Sequence, residues 1–329
     1  MKKHLKNIIP RAVFTRLSVI YQIIINAPYD YNKMLSFNRT ARDTQQKLIG
    51  EIIQGYHSIE KGLTMPNRRL GFGQASIILL VKNINDYLVY GSSKNKQFIH
   101  AISVINEYIN IHEKKNFKLD TKTINSLDKL PVINIQKSKS TQISLTQTDY
   151  FKNSKLSFDL FSNSRHSVRN FSDKNIEIDV LKKAIELAQN APSACNRQSS
   201  RVHVYSNKEK INKLLKIQGG NRGFGHLTNK LIIVTSDWSG FDGVRERFAP
   251  WVDGGIFSLN LVYALHFHKI ATCMLNCNLI KEQDKKLSIE ANIPNSENII
   301  VMIACGNIKN EFMLAASKRY DANFITRIH

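Results

Sequence analysis

Two guanidinium groups and a hydroxyl recur at every second residue in the segment SRHSVRNF (164–171): Arg165, Ser167 and Arg169. In an extended backbone alternate side chains share one side, so these three would converge. Arginine presents paired planar donors to phosphate oxygens, and the pattern is that of a phosphate clamp. A basic edge strand would give the same spacing without a ligand. A second loop, APSACNRQSS (191–200), is built of small and amide side chains. Its backbone can approach a planar ring, and Asn196 and Gln198 offer paired donors and acceptors, although turn and capping duty is their plainer use.

The first half holds one comparable stretch, YHSIEKGLTMPNRRLGFG (56–73). His57, Glu60 and Lys61 are three and four apart and can share a helix face, with Arg68 and Arg69 in the glycine-containing basic loop that follows. Such a set suits a phosphorylated ligand or a lid. The alternative is a charged helix end with Gly62 as its C-cap. His266, His268, Cys273 and Cys277 form an H-x-H-x4-C-x3-C string. The two histidines fall on different helix faces and the cysteine spacing is not that of a zinc site, so no metal is expected. No phosphate loop of the G-x-x-x-x-G-K-[ST] type and no G-x-S-x-G elbow occurs. The glycines of GGNRGFGH (219–226) do not stand between a strand and a helix. Standard NTPases, α/β hydrolases and Rossmann dehydrogenases are thereby set aside.

The elements that must position these residues fall into two blocks. Residues 1–112 read as a helical N-terminal extension, with Leu48, Ile52 and Ile53 on one face and a long apolar pattern from Gln74 to Ile111. Residues 113–155 are rich in Lys, Ser and Thr and read as a polar linker or wrapped arm. From 156 to 329 helical and strand patterns alternate. Leu181, Ala184, Ile185 and Ala188 make a helical stripe, and Ser206 with Glu209 suggests a capping box. RVHVY (201–205), LIIVTS (231–236), IATCMLN (270–276) and IIVMIAC (299–305) read as strands. The stretch 253–268 is apolar nearly all round, as in a buried helix. The alternation implies an α/β or α+β sandwich around a central sheet.

Of the 329 residues, 42% are hydrophobic and 22% charged, which suits a globular protein with a sizeable core. The net charge of +21 is spread over scattered lysines without a long basic run or aromatic interleaving, so no nucleic-acid partner is expected. Four cysteines are too few for a disulfide framework and fit a reducing compartment. The apolar run near the N-terminus is interrupted by Pro10, Arg11 and Arg16 and is too short to span a bilayer. A cytoplasmic location follows, with peripheral membrane contact through the N-terminus as the alternative to packing on the protein itself.

The order SRHSVRNF, helix, APSACNRQ, strand, followed by NRGFG before LIIVTS, WVDGGIFSLNLVYALHFHKIATC and IIVMIACG with a basic tail, resembles the nitroreductase family. The resemblance implies an α+β FMN-binding sandwich, with a central, mostly antiparallel sheet between helices. It also implies a homodimer with flavin at the subunit interface and NAD(P)H as reductant. By the same resemblance, Arg165, Ser167 and Arg169 would hold the FMN phosphate and ribityl chain, with Arg319 (Lys318 as alternate) returning to the phosphate. Ser193, Ala194, Asn196 and Gln198 would reach the ring from the partner subunit. Asn221 would meet the pyrimidine side, and the Met274 and Leu275 amides would approach N5. His57, Glu60, Lys61, Arg68 and Arg69 would form a lid or a substrate site. No catalytic side chain is needed, because flavin carries the hydride. The kinetics would be ping-pong. The acceptor is a small molecule or a sugar-linked or lipid-linked polysaccharide precursor. Ser199, Ser200, Cys277, Asn307 and Ile308 depart from the family pattern, and a flavin-poor scaffold or membrane-associated accessory is the competing reading.

Overall fold

The computed structural model describes residues 10–37, 45–89, 91–131, 141–238, 241 and 244–329. Its N-terminal block is helical: α1 (Arg11–Phe37), α2 (Gln45–Leu63), α3 (Gln74–Leu88) and α4 (Lys96–Lys114). Ile49, Ile52, Tyr56, Ile59 and Leu63 recur every three or four residues along α2 and meet Ile77, Leu80 and Ile84 of α3 and Phe98, Ile102 and Ile105 of α4 in a core of their own. The single apolar pattern expected over 74–111 is therefore two helices. Asn95 starts the second, its side chain accepting the Gln97 and Phe98 N–H groups at 2.9 and 3.4 Å. The periodicity crosses the break because both helices bury a face in the same core. Gly62 is likewise no C-cap. It lies inside the last turn of α2, where a Cβ would stand 2.2 Å from the Phe72 ring.

Within residues 113–155 the chain forms α5 (Thr121–Leu127), β1 (Gln142–Thr146) and α6 (Gln147–Phe151); residues 132–140 lie outside the described part. The strand β1 pairs antiparallel with β6 (Glu311–Ala315), joining this stretch to the end of the chain.

The remaining elements are α7 (Phe158–Ser164), α8 (Ile178–Ala188), β2 (Ser200–Tyr205), α9 (Lys208–Gln218), β3 (Lys230–Asp237), α10 (Ala249–Phe267), β4 (Ala271–Asn276), α11 (Lys281–Ala291), β5 (Glu297–Gly306) and α12 (Ala322–Ile325). The sheet order is β2-β3-β5-β4 with every pair antiparallel. That pairing makes the architecture α+β. Leu231, Ile233, Met302 and Ala304 face a core shared with α9 and α11, while Ile232, Val234, Ile303 and Cys305 face the one under α8 and α10. Period-two alternation thus covers both faces of the sheet with helices. The helix α9 is capped by Asn207, which accepts the Lys210 N–H at 2.9 Å, and not by the Ser206 box. Among the described residues no helix is long and apolar enough to cross a membrane.

Candidate functional site

The residues after α7 run beside the outer edge of β4. Ser167 forms a parallel bridge with Thr272, and the Val168 N–H donates to the Thr272 carbonyl at 2.9 Å. Val168 is fully buried, so its alternating neighbours Arg165, Ser167 and Arg169 turn the other way, into a cavity of about 630 Å³. The extended reading of this segment therefore holds locally. Tyr150 of α6 fixes it from behind: its O–H donates to the His166 carbonyl at 2.8 Å, and its oxygen accepts the His166 N–H at 3.2 Å. Burial pushes the Tyr150 phenol up to about 12, so it stays a donor.

The cavity continues along the loop after β6, where Ser317, Lys318 and Arg319 line it, and reaches His57 of α2. No Asp or Glu is among its lining residues. Neither the Arg165 nor the Arg169 side chain donates to a protein acceptor among the described residues; Arg169 lies over the Phe224 ring, 5.9 Å from its centroid. Lys61 is held below the usual lysine range by burial and then by the Arg169 charge, which places it in the same positive region. Neighbouring histidines respond in the same sense. Burial lowers His166, and Arg165 and Arg319 lower it further. Burial, Arg165 and His166 bring His266 down to about 4. The lining thus holds Arg165, Arg169, Lys318 and Arg319 with no acidic side chain among them, a donor set able to hold an anion.

The N-terminal residues divide. Glu60 is fully buried; one of its oxygens meets His57 Nδ1 at 3.1 Å, the other meets His100 Nε2 and the Ser317 N–H, also at 3.1 Å. Burial alone would raise this carboxyl, but the hydrogen bonds from His100 and His57, the His100 charge and the Ser317 amide outweigh it and hold it at about 2. Arg68 is spent on the end of α2, donating to the Leu63 carbonyl at 2.7 Å, and Arg69 is exposed and does not line the cavity. Met65, in the same loop, packs where a Cβ on Gly223 would stand, 3.2 Å away, so the loop touches the 219–226 segment.

Other expected contacts lie elsewhere in the chain. Ser193 and Gln198 line a second cavity of about 440 Å³ between α8, β2 and α10. There the Ala194 N–H donates to the Asp253 carboxylate at 3.1 and 3.2 Å, and Ser193 Oγ accepts the Gln198 N–H at 3.0 Å. Asn196 and Gln198 both have left-handed φ, 56° and 49°, and the Gln198 amide donates toward the Asn196 side-chain oxygen at 3.3 Å. The side chain of Asn221 is engaged in ending α9, donating to the Leu215 carbonyl at 2.5 Å. On β4, Met274 is exposed and Leu275 belongs to the core. Beside the second loop, α10 exposes Trp251, Val252, Ile256 and Leu259.

Tyr150 and His166 are site residues that the sequence did not single out. Tyr150 sits in the polar stretch before the recognisable half, and only its pairing through β1 and α6 brings it here. The departures from the family pattern are accommodated: Ser199 Oγ meets Ser236 Oγ at 2.9 Å, and Asn307 donates to the Lys174 and Asn175 carbonyls.

Residues 163–222 match the model of the Nitroreductase family. No curated protein sequence matches the chain. Among solved structures, a putative NADH oxidase from Clostridium acetobutylicum is 23% identical and aligns over 49% of this chain and 95% of its own, with a TM-score of 0.42. A putative nitroreductase in complex with FMN from Desulfovibrio desulfuricans is 18% identical over 50% of this chain and 92% of its own, with a TM-score of 0.44. An FMN-dependent nitroreductase from Clostridium difficile is 20% identical over 49% and 90%, with a TM-score of 0.40.

Proposed function

We propose that this chain, whose residues 163–222 carry nitroreductase-family sequence, is an FMN-dependent oxidoreductase that takes hydride from NAD(P)H and passes it to a small acceptor. The observation that carries the reading is the cavity in which Arg165 and Arg169 converge with Lys318 and Arg319, without an acidic lining residue. The donor set fits a phosphate monoester, since guanidinium forks and the Ser167 hydroxyl match its oxygens and nothing in the lining repels it. Bound flavin would supply the hydride chemistry. The chain's own residues would bind and orient: Arg165, Ser167, Arg169 and Arg319 at the phosphate, and the Met274 and Leu275 amides toward the ring, while Asn221 would have to leave the Leu215 carbonyl to join them. Lys61 would add positive potential where negative charge develops on reduction.

The loop holding Ser193, Ala194, Asn196 and Gln198 does not share this cavity, so the reading includes a second copy of the chain, docked through the exposed apolar face of α10, to bring that loop in. The working location is the cytoplasm. Acceptor screening covers small electron acceptors and sugar-linked or lipid-linked intermediates.

The test is anaerobic stopped-flow on protein reconstituted with FMN. Flavin bleaching by NADH or NADPH, with reoxidation by an added acceptor, supports the proposal. Protein that stays colourless after FMN addition and desalting, or holds flavin that neither nicotinamide reduces, overturns it in favour of the scaffold reading.

A further inference from the structure

We infer that the N-terminal helical block is a working part of the anion site, with His57 a further phosphate-binding side chain and Glu60 its positioning residue. The inference rests on the flavin reading only for the identity of the anion. His57 lines the same cavity as Arg165, Arg169 and Arg319, although it lies on α2, outside the half that carries the family pattern. Its Nδ1 stands 3.1 Å from Glu60 Oε2. An ionised carboxylate can only accept, so the Nδ1 proton belongs to the imidazole and points away from the cavity.

That leaves Nε2 as the ring nitrogen without a partner among the described residues. In the neutral ring Nε2 is an acceptor and of no use to a phosphate. In the imidazolium it is a charged donor on the cavity side, with Glu60 holding the opposite edge of the ring. Glu60 is itself immobilised. Its other oxygen takes His100 and the Ser317 N–H, and Ser317 is two residues from Arg319. One buried carboxylate thereby sets the ring of His57 and the start of the loop that carries Lys318 and Arg319. The arrangement joins an element of the extension and one of the tail at a single anion.

The experiment compares FMN with riboflavin, which lacks the phosphate, by fluorescence titration of the full-length protein stripped of flavin. His57→Gln is expected to weaken FMN binding about tenfold, the equivalent of one charge-assisted hydrogen bond, and to leave riboflavin binding unchanged. Glu60→Gln is expected to lower the FMN preference over riboflavin in the same direction, and the double variant to lose no more than the larger single loss, because the two act as a unit. Equal FMN affinity in wild type and His57→Gln, or equal losses for both flavins, overturns the inference. If Glu60→Gln does not fold, His57→Gln at the half-exposed position decides alone. Thermal stabilisation by inorganic phosphate separates the two readings. A protein that binds neither flavin but is stabilised by phosphate, with the effect lost in His57→Gln, sinks the flavin proposal and supports this one. Phosphate stabilisation identical in wild type and His57→Gln overturns it.

Discussion

Glu60 and Ser317, 257 residues apart in the chain, are joined by a 3.1 Å hydrogen bond from the Ser317 N–H to the buried Glu60 carboxylate. This bond ties the helix carrying His57 and Lys61 to the loop carrying Lys318 and Arg319. The stability of that junction should depend on acid in a defined window.

The Glu60 carboxyl is held at about 2, against 4.5 for an unperturbed glutamate. The unfolded chain therefore takes up this proton first as pH falls. The stabilisation is complete above about 4.5 and is lost between there and about 2, amounting to roughly 3 kcal/mol at one shift unit per 1.4 kcal/mol. His266, lowered to about 4 by burial and then Arg165, adds an earlier limb of the same sign between 6.5 and 4. Denaturant melts from pH 7 to 3 should show both limbs in wild type, while Glu60→Gln keeps only the upper one. A stability difference between the two proteins that is independent of pH would refute the assignment.

Replacing both Arg165 and Arg169 by alanine removes two guanidiniums that no acceptor among the described residues holds in place. The variant should fold normally, because unpaired half-buried cations contribute little to stability, and should lose FMN on desalting with affinity at least a hundredfold lower. Circular dichroism together with the absorbance spectrum after desalting checks both halves of that statement.

Gly62 lies in the last turn of α2, where alanine would bring at most the gain of about 1 kcal/mol typical of a helix interior. Here the added Cβ would stand 2.2 Å from the Phe72 ring, which packs edge-on against Tyr108. Overpacking costs of about 1–3 kcal/mol should win, so Gly62→Ala is expected to be less stable by about 1 kcal/mol in a urea melt. A gain in stability would show that Phe72 moves aside freely.

In the proposed function a second copy of the chain covers the apolar face of α10, where Trp251, Val252, Ile256 and Leu259 are exposed. Trp251→Arg with Ile256→Glu should shift the mass in light scattering from dimer to monomer and weaken flavin retention at the same time. A wild type that is already monomeric while holding FMN would exclude the shared site.

The strands of the sheet and the shared side of Arg165, Ser167 and Arg169 were legible because their signals are local. Short, continuous apolar runs identified LIIVTS and IIVMIAC, and the alternating Arg165, Ser167 and Arg169 needed only an extended backbone to line one cavity. Capping was read one residue early at Ser206 because Asn207 and Ser206 are both competent caps, and only the backbone chooses. The C-cap alternative for Gly62 falls only with the structure, because a C-cap glycine and a close-contact glycine look the same without the ring that approaches. The pairing of β1 with β6 was beyond reach, since five polar-flanked residues carry no information about a partner at the far end of the chain. The same holds for Tyr150, whose value to the site arises entirely from where that pairing puts it.

Because β1 finds its partner only in β6, synthesis order places a demand on this protein. The strand leaves the ribosome long before residues 311–315 exist, and the Glu60 carboxylate waits longer still for Ser317. The cavity lined by Arg165 and Arg319 is thus among the last features to close, through contacts of very high sequence separation, which are slow to form. A polypeptide that stopped short of residue 311 would have most of its core and none of that closure. Capture of the proposed ligand would then report that synthesis had passed Arg319.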